Sequence, residues 1–195
     1  MVDDERALLA AWQDGDHEAG GELLRRTMPA VRRFFANKVD VVAAEDLAQR
    51  TFEALVRLRD DVPLQAGVRA YLFGVARLEL LRHLDEWRRR GARFDPLVTS
   101  LQDSGMGPVS AVAQSEASAR VAAALRQIPL DFQLTAEMFY WQDLSVAEIA
   151  SALAVPTGTV KSRLARARGL LAGLLAVGDD ETEALLIAAA RADRS

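Results

Sequence analysis

The residues best placed to do chemistry lie between Thr157 and Leu171. This stretch holds four basic side chains and no acidic one. On a helix of 100° per residue, Val160, Leu164, Ala167 and Leu171 form one apolar stripe, and Ser162, Ala165, Arg166 and Gly169 point away from it. Lys161 and Arg168 flank one side of the outer face and Arg163 the other. An arginine projecting from such a face can pair bidentately with guanine, and neighbouring cations can neutralise phosphates. The chemistry is therefore recognition of a polyanion. The plainer alternative is a hairpin with a solubilising basic face.

The elements that must hold this helix are legible upstream. Leu144-Ser145-Val146-Ala147-Glu148-Ile149-Ala150 opens on a capping box, with Ser145 reaching the Glu148 amide and Glu148 reaching back. Val146, Ile149, Ala150 and Leu153 give that helix its buried face. Ala154-Val155-Pro156 makes a tight turn, and Thr157 or Thr159 is positioned to cap the following helix. Turn, caps and charge together predict a helix-turn-helix with a basic second helix.

The whole chain is 195 residues with a net charge of -4, and half of its residues are apolar. Cysteine is absent, which excludes disulfide frameworks, thiol catalysis and thiolate metal sites. His17 and His83 alone could supply imidazole, so no metal centre is expected. No apolar run reaches the ~18 residues of a membrane span, and Met1 to Arg6 is acidic without a signal-like apolar region. A cytoplasmic protein without membrane insertion is expected. There is no P-loop, dinucleotide-type glycine pattern or nucleophile elbow, so neither an enzyme nor a cofactor is expected.

Charge is unevenly spread. Residues 1–65 carry -4, 66–96 carry +3, 97–156 carry -4, 157–171 carry +4 and 172–195 carry -3. An acidic average thus hides two basic segments, and binding of a polyanion responds to the local field. Helical periodicity covers Glu5–Trp12, about 16–26, a further helix opened by Pro29, Glu45–Leu58, 68–90, 116–127, 129–142, 145–153 and 157–174. Leu72, Phe73, Ala76, Leu80, Leu84 and Trp87 stripe the long helix. Residues 91–115 hold glycine, proline and serine without sustained period and read as a linker. The expected fold is all-α: a first module over 1–90, a flexible linker over 91–115, a helix-turn-helix module over 116–175 and an acidic tail over 176–195. The leucines and isoleucine at 185–187 could make that tail a short helix docked against a basic face.

Several segments resemble the extracytoplasmic-function (ECF) sigma factors of bacterial RNA polymerase. Leu144 to Ala150, with Val155-Pro156-Thr157-Gly158-Thr159-Val160-Lys161-Ser162-Arg163-Leu164-Ala165-Arg166-Ala167-Arg168, is similar to the family's region four. Glu45-Asp46-Leu47-Ala48-Gln49-Arg50-Thr51-Phe52 resembles region 2.2. Arg69 to Arg77, with Arg88-Arg89-Arg90, resembles regions 2.3 and 2.4. The sequence departs from the family where Leu78 and Glu79 follow Ala76-Arg77, a place usually held by asparagine.

The resemblance implies the following roles. Asp46, Gln49 and Phe52 would contact the core polymerase. The connector with Asp60, Asp61 and Gln65 would capture a base of the minus-ten element. Arg69, Arg77, Arg82, Arg88 and Arg89 would meet phosphates there. Thr159, Lys161, Ser162, Arg163, Arg166 and Arg168 would meet the minus-thirty-five element, with Lys161, Ser162 and Arg166 on bases and Arg163 and Arg168 on phosphates. Implied partners are core RNA polymerase, promoter DNA and an anti-sigma factor. The 25-residue linker spans ~25–30 Å as a coil and ~80–90 Å fully extended. Promoter elements about seventeen base pairs apart lie ~55–60 Å apart, at ~3.4 Å per pair. A LuxR-type helix-turn-helix regulator is the competing reading, but the N-terminal half lacks the βαβ rhythm of a receiver domain.

Overall fold

The structure, a computed structural model, describes residues 2–62, 67–89, 95–97, 99–101 and 116–193, with the backbone alone at 2, 3, 87 and 88. Gln65 and most of the 91–115 segment lie outside the described residues, and so do the side chains of Trp87 and Arg88. The helices are α1 (Val2–Gln13), α2 (His17–Ala36), α3 (Val41–Leu58), α4 (Val68–Arg88), α5 (Glu116–Leu125), α6 (Leu130–Tyr140), α7 (Val146–Leu153), α8 (Thr157–Leu175) and α9 (Asp179–Ala192). A 3₁₀ turn, Arg59–Asp61, follows α3. The fold is all-α; β-type pairing among the described residues is an isolated bridge between Ser100 and Pro129.

Local chemistry sets the helix starts. Asp16 caps α2 by accepting from the Glu18 and Ala19 amides at 2.9 and 3.1 Å. Asp40 caps α3 through the Ala43 amide at 3.0 Å, so α3 begins at Val41 rather than Glu45. Pro29 does not open a helix. It lies inside α2, which runs unbroken through it. Proline in a helix interior costs roughly 3 kcal/mol. Here Leu23, Ala30, Val31, Phe34 and Phe35 share one buried face across the proline, and that common burial outweighs the lost hydrogen bond.

On α3, Leu47, Thr51, Ala54 and Leu55 point inward as the periodicity predicts, whereas Leu58 is exposed. On α4, Leu72, Phe73, Ala76, Leu80 and Leu84 are all buried. These side chains belong to a core that does not stop at the first module. The same cluster contains Leu130, Leu134 and Met138 of α6, Ile149 and Leu153 of α7, and Val160 and Leu164 of α8. Helix α4 lies directly against α7. A Cβ placed on Gly74 would sit 3.2 Å from the Ala152 carbonyl oxygen, so the glycine permits that close approach.

The described part of the linker is laid against α6. The Leu130 and Asp131 amides donate to the Thr99 and Pro96 carbonyls at 3.3 and 3.0 Å, and Leu101 is buried. At 95–97 and 99–101, then, the chain is pinned rather than free.

A second cluster gathers Val121, Leu125, Ile128, Leu171, Leu175, Leu186, Ala189 and Ala190. The acidic tail is thus a 14-residue helix packed on α5 and α8. Apolar contact does most of the docking; an Arg168–Glu183 pair at 3.2 Å supplies the basic partner.

Candidate nucleic-acid and polymerase interface

The helix-turn-helix forms as the residues dictate. Ser145 Oγ accepts from the Glu148 amide at 3.2 Å, and Glu148 Oε2 accepts from the Ser145 amide at 2.8 Å. Ala154, at φ 53°, takes the left-handed conformation that ends α7. Pro156 occupies the N-cap of α8, so neither Thr157 nor Thr159 caps it. The reason is local: proline fixes its own φ and needs no N–H at a helix start.

On α8, Val160, Leu164, Ala167 and Leu171 are buried. Lys161, Ser162, Ala165, Arg166 and Gly169 are exposed, as the wheel predicts. No ion pair occupies Lys161 or Arg166 among the described residues. Ser162 Oγ donates to the Thr159 carbonyl at 2.9 Å while remaining exposed, and Thr159 is half-buried. Arg168 is half-buried beside Glu183.

Arg163 departs from its predicted place. It is 9% exposed, and its Nη2 donates to Asp131 Oδ2 at 2.6 Å. Asp131 also faces Arg77 of α4 at 3.9 Å. The wheel put Arg163 beside the outer face, but α6 packs against that side of α8 and supplies a carboxylate. Burial holds the Arg77 guanidinium below the usual arginine range; Asp131 opposes the shift and Arg163 adds to it.

The first module presents a groove of about 700 Å³ between α2 and α3, lined by Met28, Arg32, Asp46, Gln49, Phe52 and Val56 among others. Asp46 pairs with Arg50 at 2.8 Å, and Gln49 donates to Glu53 at 2.8 Å. Phe52 is 8% exposed and lines the groove from within rather than standing out from the surface. Val41 and Val42 are exposed at the start of the same helix.

Asp60 and Asp61 are exposed on the 3₁₀ turn. Gln13 Nε2 anchors that turn by donating to the Arg59 carbonyl at 2.6 Å and the Val62 carbonyl at 3.1 Å. The arginines of α4 divide. Arg82 and Arg89 are exposed, paired with Glu79 and Asp85 of their own helix or its end. Arg69 donates from Nε to Glu5 Oε2 at 2.8 Å and from Nη2 to Oε1 at 2.6 Å, tying α1 to α4. Such a two-point pair, with Glu5 buried, serves the fold rather than a phosphate. Arg77, half-buried at Asp131, is likewise engaged.

Sequence reasoning missed Glu5, Asp131 and the buried pair of Lys38 with Glu137. No local signal marked them, because the burial of α6 exists only in the fold: polar and apolar side chains alike are buried on all its sides, including Asp131, Gln133, Thr135 and Glu137. A short helix with no solvent face must bury its charges against partners.

The comparisons agree with this geometry. The sigma-70 region 4 family model matches residues 137–171, the end of α6 through most of α8. The chain is 30% identical over 176 residues to the ECF RNA polymerase sigma factor SigC of Mycobacterium tuberculosis, covering 87% of this chain and 91% of the relative. It is 34% identical over 129 residues to SigL of the same species, covering 64% and 70%. Among solved structures, CnrH in complex with the cytosolic domain of CnrY superposes with a TM-score of 0.63 at 22% identity, covering 88% of this chain and 97% of that one. RpoE in complex with the anti-sigma factor NepR from Bartonella quintana gives the same score and identity, covering 80% and 96%. These last two support the fold alone. The match over nearly the full length of SigC, with region four falling on the helix-turn-helix, excludes the LuxR-type reading: the chain belongs to the ECF RNA polymerase sigma factors.

Proposed function

We propose that this sigma factor divides its work between the two helical modules. Residues 1–90 bind core RNA polymerase through the α2–α3 groove, with Asp46 and Gln49 at its edge and Phe52 within it. The exposed turn at Asp60 and Asp61, with Gln65, meets the minus-ten element. Arg82, Arg88 and Arg89 meet the adjoining phosphates. The second module, starting at residue 116 and ending with α9 docked on it, reads the minus-thirty-five element. Lys161, Ser162 and Arg166 face bases, while Thr159 and Arg168 meet the backbone. We assign Arg69, Arg77 and Arg163 to holding the helices in place.

The observation that carries this reading is the outer face of α8, where Lys161 and Arg166 stand exposed without an ion-pair partner among the described residues. A chain of net charge -4 that leaves this helix positive has concentrated its field on one face. The protein has no catalytic role of its own: the polymerase performs the chemistry. Strand opening is driven by binding, with each unstacked base costing a few kcal/mol. An anti-sigma factor that covers the polymerase- or DNA-facing surfaces is the regulatory partner, and the compartment is the cytoplasm. Consistent with that, no helix among the described residues is long and apolar enough to cross a membrane.

Run-off transcription tests the reading. Purified core polymerase is given a pool of genomic promoter fragments with and without the protein. Promoter-specific transcripts that require the protein are expected. Duplex binding without core binding or transcripts would refute the division of labour.

A further inference from the structure

Helix α9 is held on the second module along one face and at both ends. Thr182, Leu186, Ala189 and Ala190 are buried. Thr182 Oγ donates to the Gly178 carbonyl at 2.9 Å, and at the far end Trp141 Nε1 donates to Asp193 Oδ2 at 2.8 Å. Glu183 therefore has a fixed place. Its Oε2 accepts from Arg168 Nη1 of α8 at 3.2 Å, with the buried Tyr140 beside both. Arg168 lies seven residues after Lys161, on the same flank of the outer face and ~10 Å further along, at ~1.5 Å per residue. Lys161 is exposed and has no ion pair among the described residues, whereas Arg168 is engaged by α9.

The Arg168–Glu183 pair is 37% and 43% exposed. A pair so open to water contributes little to folding. It is also easily exchanged, because a guanidinium is satisfied equally by a carboxylate and by a phosphate. Exchange has a cost here. Glu183 stays behind on its docked helix and becomes a like charge beside the phosphate that displaced it. Neutralised phosphates supply the sequence-independent part of DNA affinity. Glu183 therefore subtracts from that part, while Lys161 and Arg166 remain available to bases.

We propose that Glu183 competes with the DNA backbone for Arg168, and that α9 thereby lowers the sequence-independent affinity of the helix-turn-helix. The proposal rests on the reading of α8 as the DNA-facing helix and adds a regulator to it. A weak hold on bulk DNA has a use, because non-specific duplex far outnumbers any promoter. Stable binding then requires contacts beyond α8, from the first module and the polymerase. A rigid helix does this better than a loose acidic tail, since its carboxylate is already in place and no chain entropy is spent in positioning it.

The full-length chain is assembled with core polymerase, and binding to two duplexes is followed by fluorescence anisotropy over a range of salt. One is a promoter recovered by run-off transcription, and the other is the same fragment with its minus-thirty-five element scrambled. E183Q should bind both about three- to tenfold more tightly than wild type at low salt, with the advantage shrinking as salt rises. The slope of log K against log salt should steepen by up to ~0.9, the value for one further neutralised phosphate. E181Q, which removes the same charge from an exposed position of α9, should leave affinity and slope close to wild type. In an R168A background the E183Q gain should shrink to less than about twofold, because the two residues act as a pair. The thermal midpoint of E183Q should stay within about 3 °C of wild type, so the variant remains folded.

An E183Q holoenzyme that binds no more tightly than wild type overturns the proposal. So does a gain matched by E181Q, or one undiminished without Arg168. Failure of the underlying reading looks different: wild-type holoenzyme would bind the intact and the scrambled duplex equally.

Discussion

Two arginines three residues apart on α8 should behave in opposite ways. Arg166 is exposed and Arg163 is buried against Asp131. R166A removes no contact that holds the fold, so its thermal midpoint should stay within about 1 °C of wild type. Loss of a bidentate base contact costs ~1–3 kcal/mol, or about 5- to 150-fold in promoter affinity, concentrated at one base pair. R163A removes one partner of a buried pair, which typically costs ~3–5 kcal/mol. Two features of this site reduce that figure. The pair has a single hydrogen bond, with Arg163 Nε and Nη1 unpartnered. Arg77 also remains 3.9 Å from the orphaned carboxylate and compensates part of its charge. A loss of ~2–3 kcal/mol is therefore expected. For a chain of this size that lowers the midpoint by roughly 4–12 °C, at ~2–4 °C per kcal/mol. The assays are thermal unfolding of each full-length variant, and holoenzyme binding to a panel of single-base promoter variants. An R163A protein with an unchanged midpoint, or an R166A protein that loses affinity equally on every promoter, would refute the assignment.

Other outcomes follow from the same contacts. S145A removes the capping box of α7 and should cost ~1 kcal/mol in urea unfolding, without changing promoter preference. L186A opens a cavity beneath α9 and should cost ~2–4 kcal/mol, read from the same unfolding curves. V56E puts a charge at the exposed edge of the α2–α3 groove and should weaken core-polymerase binding in a pull-down by at least about tenfold, with helix content unchanged by circular dichroism. Burial first, and then Glu183, hold the Tyr140 hydroxyl above its usual value of 10.0. In that alkaline window the folded chain keeps a proton that the unfolded chain has lost, so Tyr140 stabilises the fold less as pH rises past 10. Burial also raises Tyr71. In a Y71F background, deleting residues after Val177 should return the remaining tyrosine titration, followed by ultraviolet absorbance, towards 10.

Within each helix, local rules were sufficient. The Ser145–Glu148 box, the stripe on α8 and the stripe on α4 depend on spacings of three and four residues, and the fold reproduces them. The exposed positions of Lys161, Ser162 and Arg166 follow from the same arithmetic. The resemblance to a known family also rested on contiguous motifs, and the near full-length match to SigC bears it out. Pro29 marks where local rules gave out, because the burial shared by Leu23, Val31 and Phe34 overrode a breaker.

What only the tertiary structure decided is the partner of each buried charge. Glu5 and Arg69 are 64 residues apart, Lys38 and Glu137 are 99 apart, and Asp131 and Arg163 are 32 apart. No spacing rule links them. An arginine bound for a phosphate and one bound for a buried carboxylate look alike along the chain, because a helical wheel gives direction but not what stands opposite. The packing of α6 on α8 made Arg163 internal, and the packing of α4 on α7 joined two modules into one core. The sequence alone determined most of the helices, their apolar stripes and the basic outer surface of α8, but not the continuity of α2 through Pro29. Long-range packing decided which of those charges remain free to meet a partner, because burial is a property of two surfaces together.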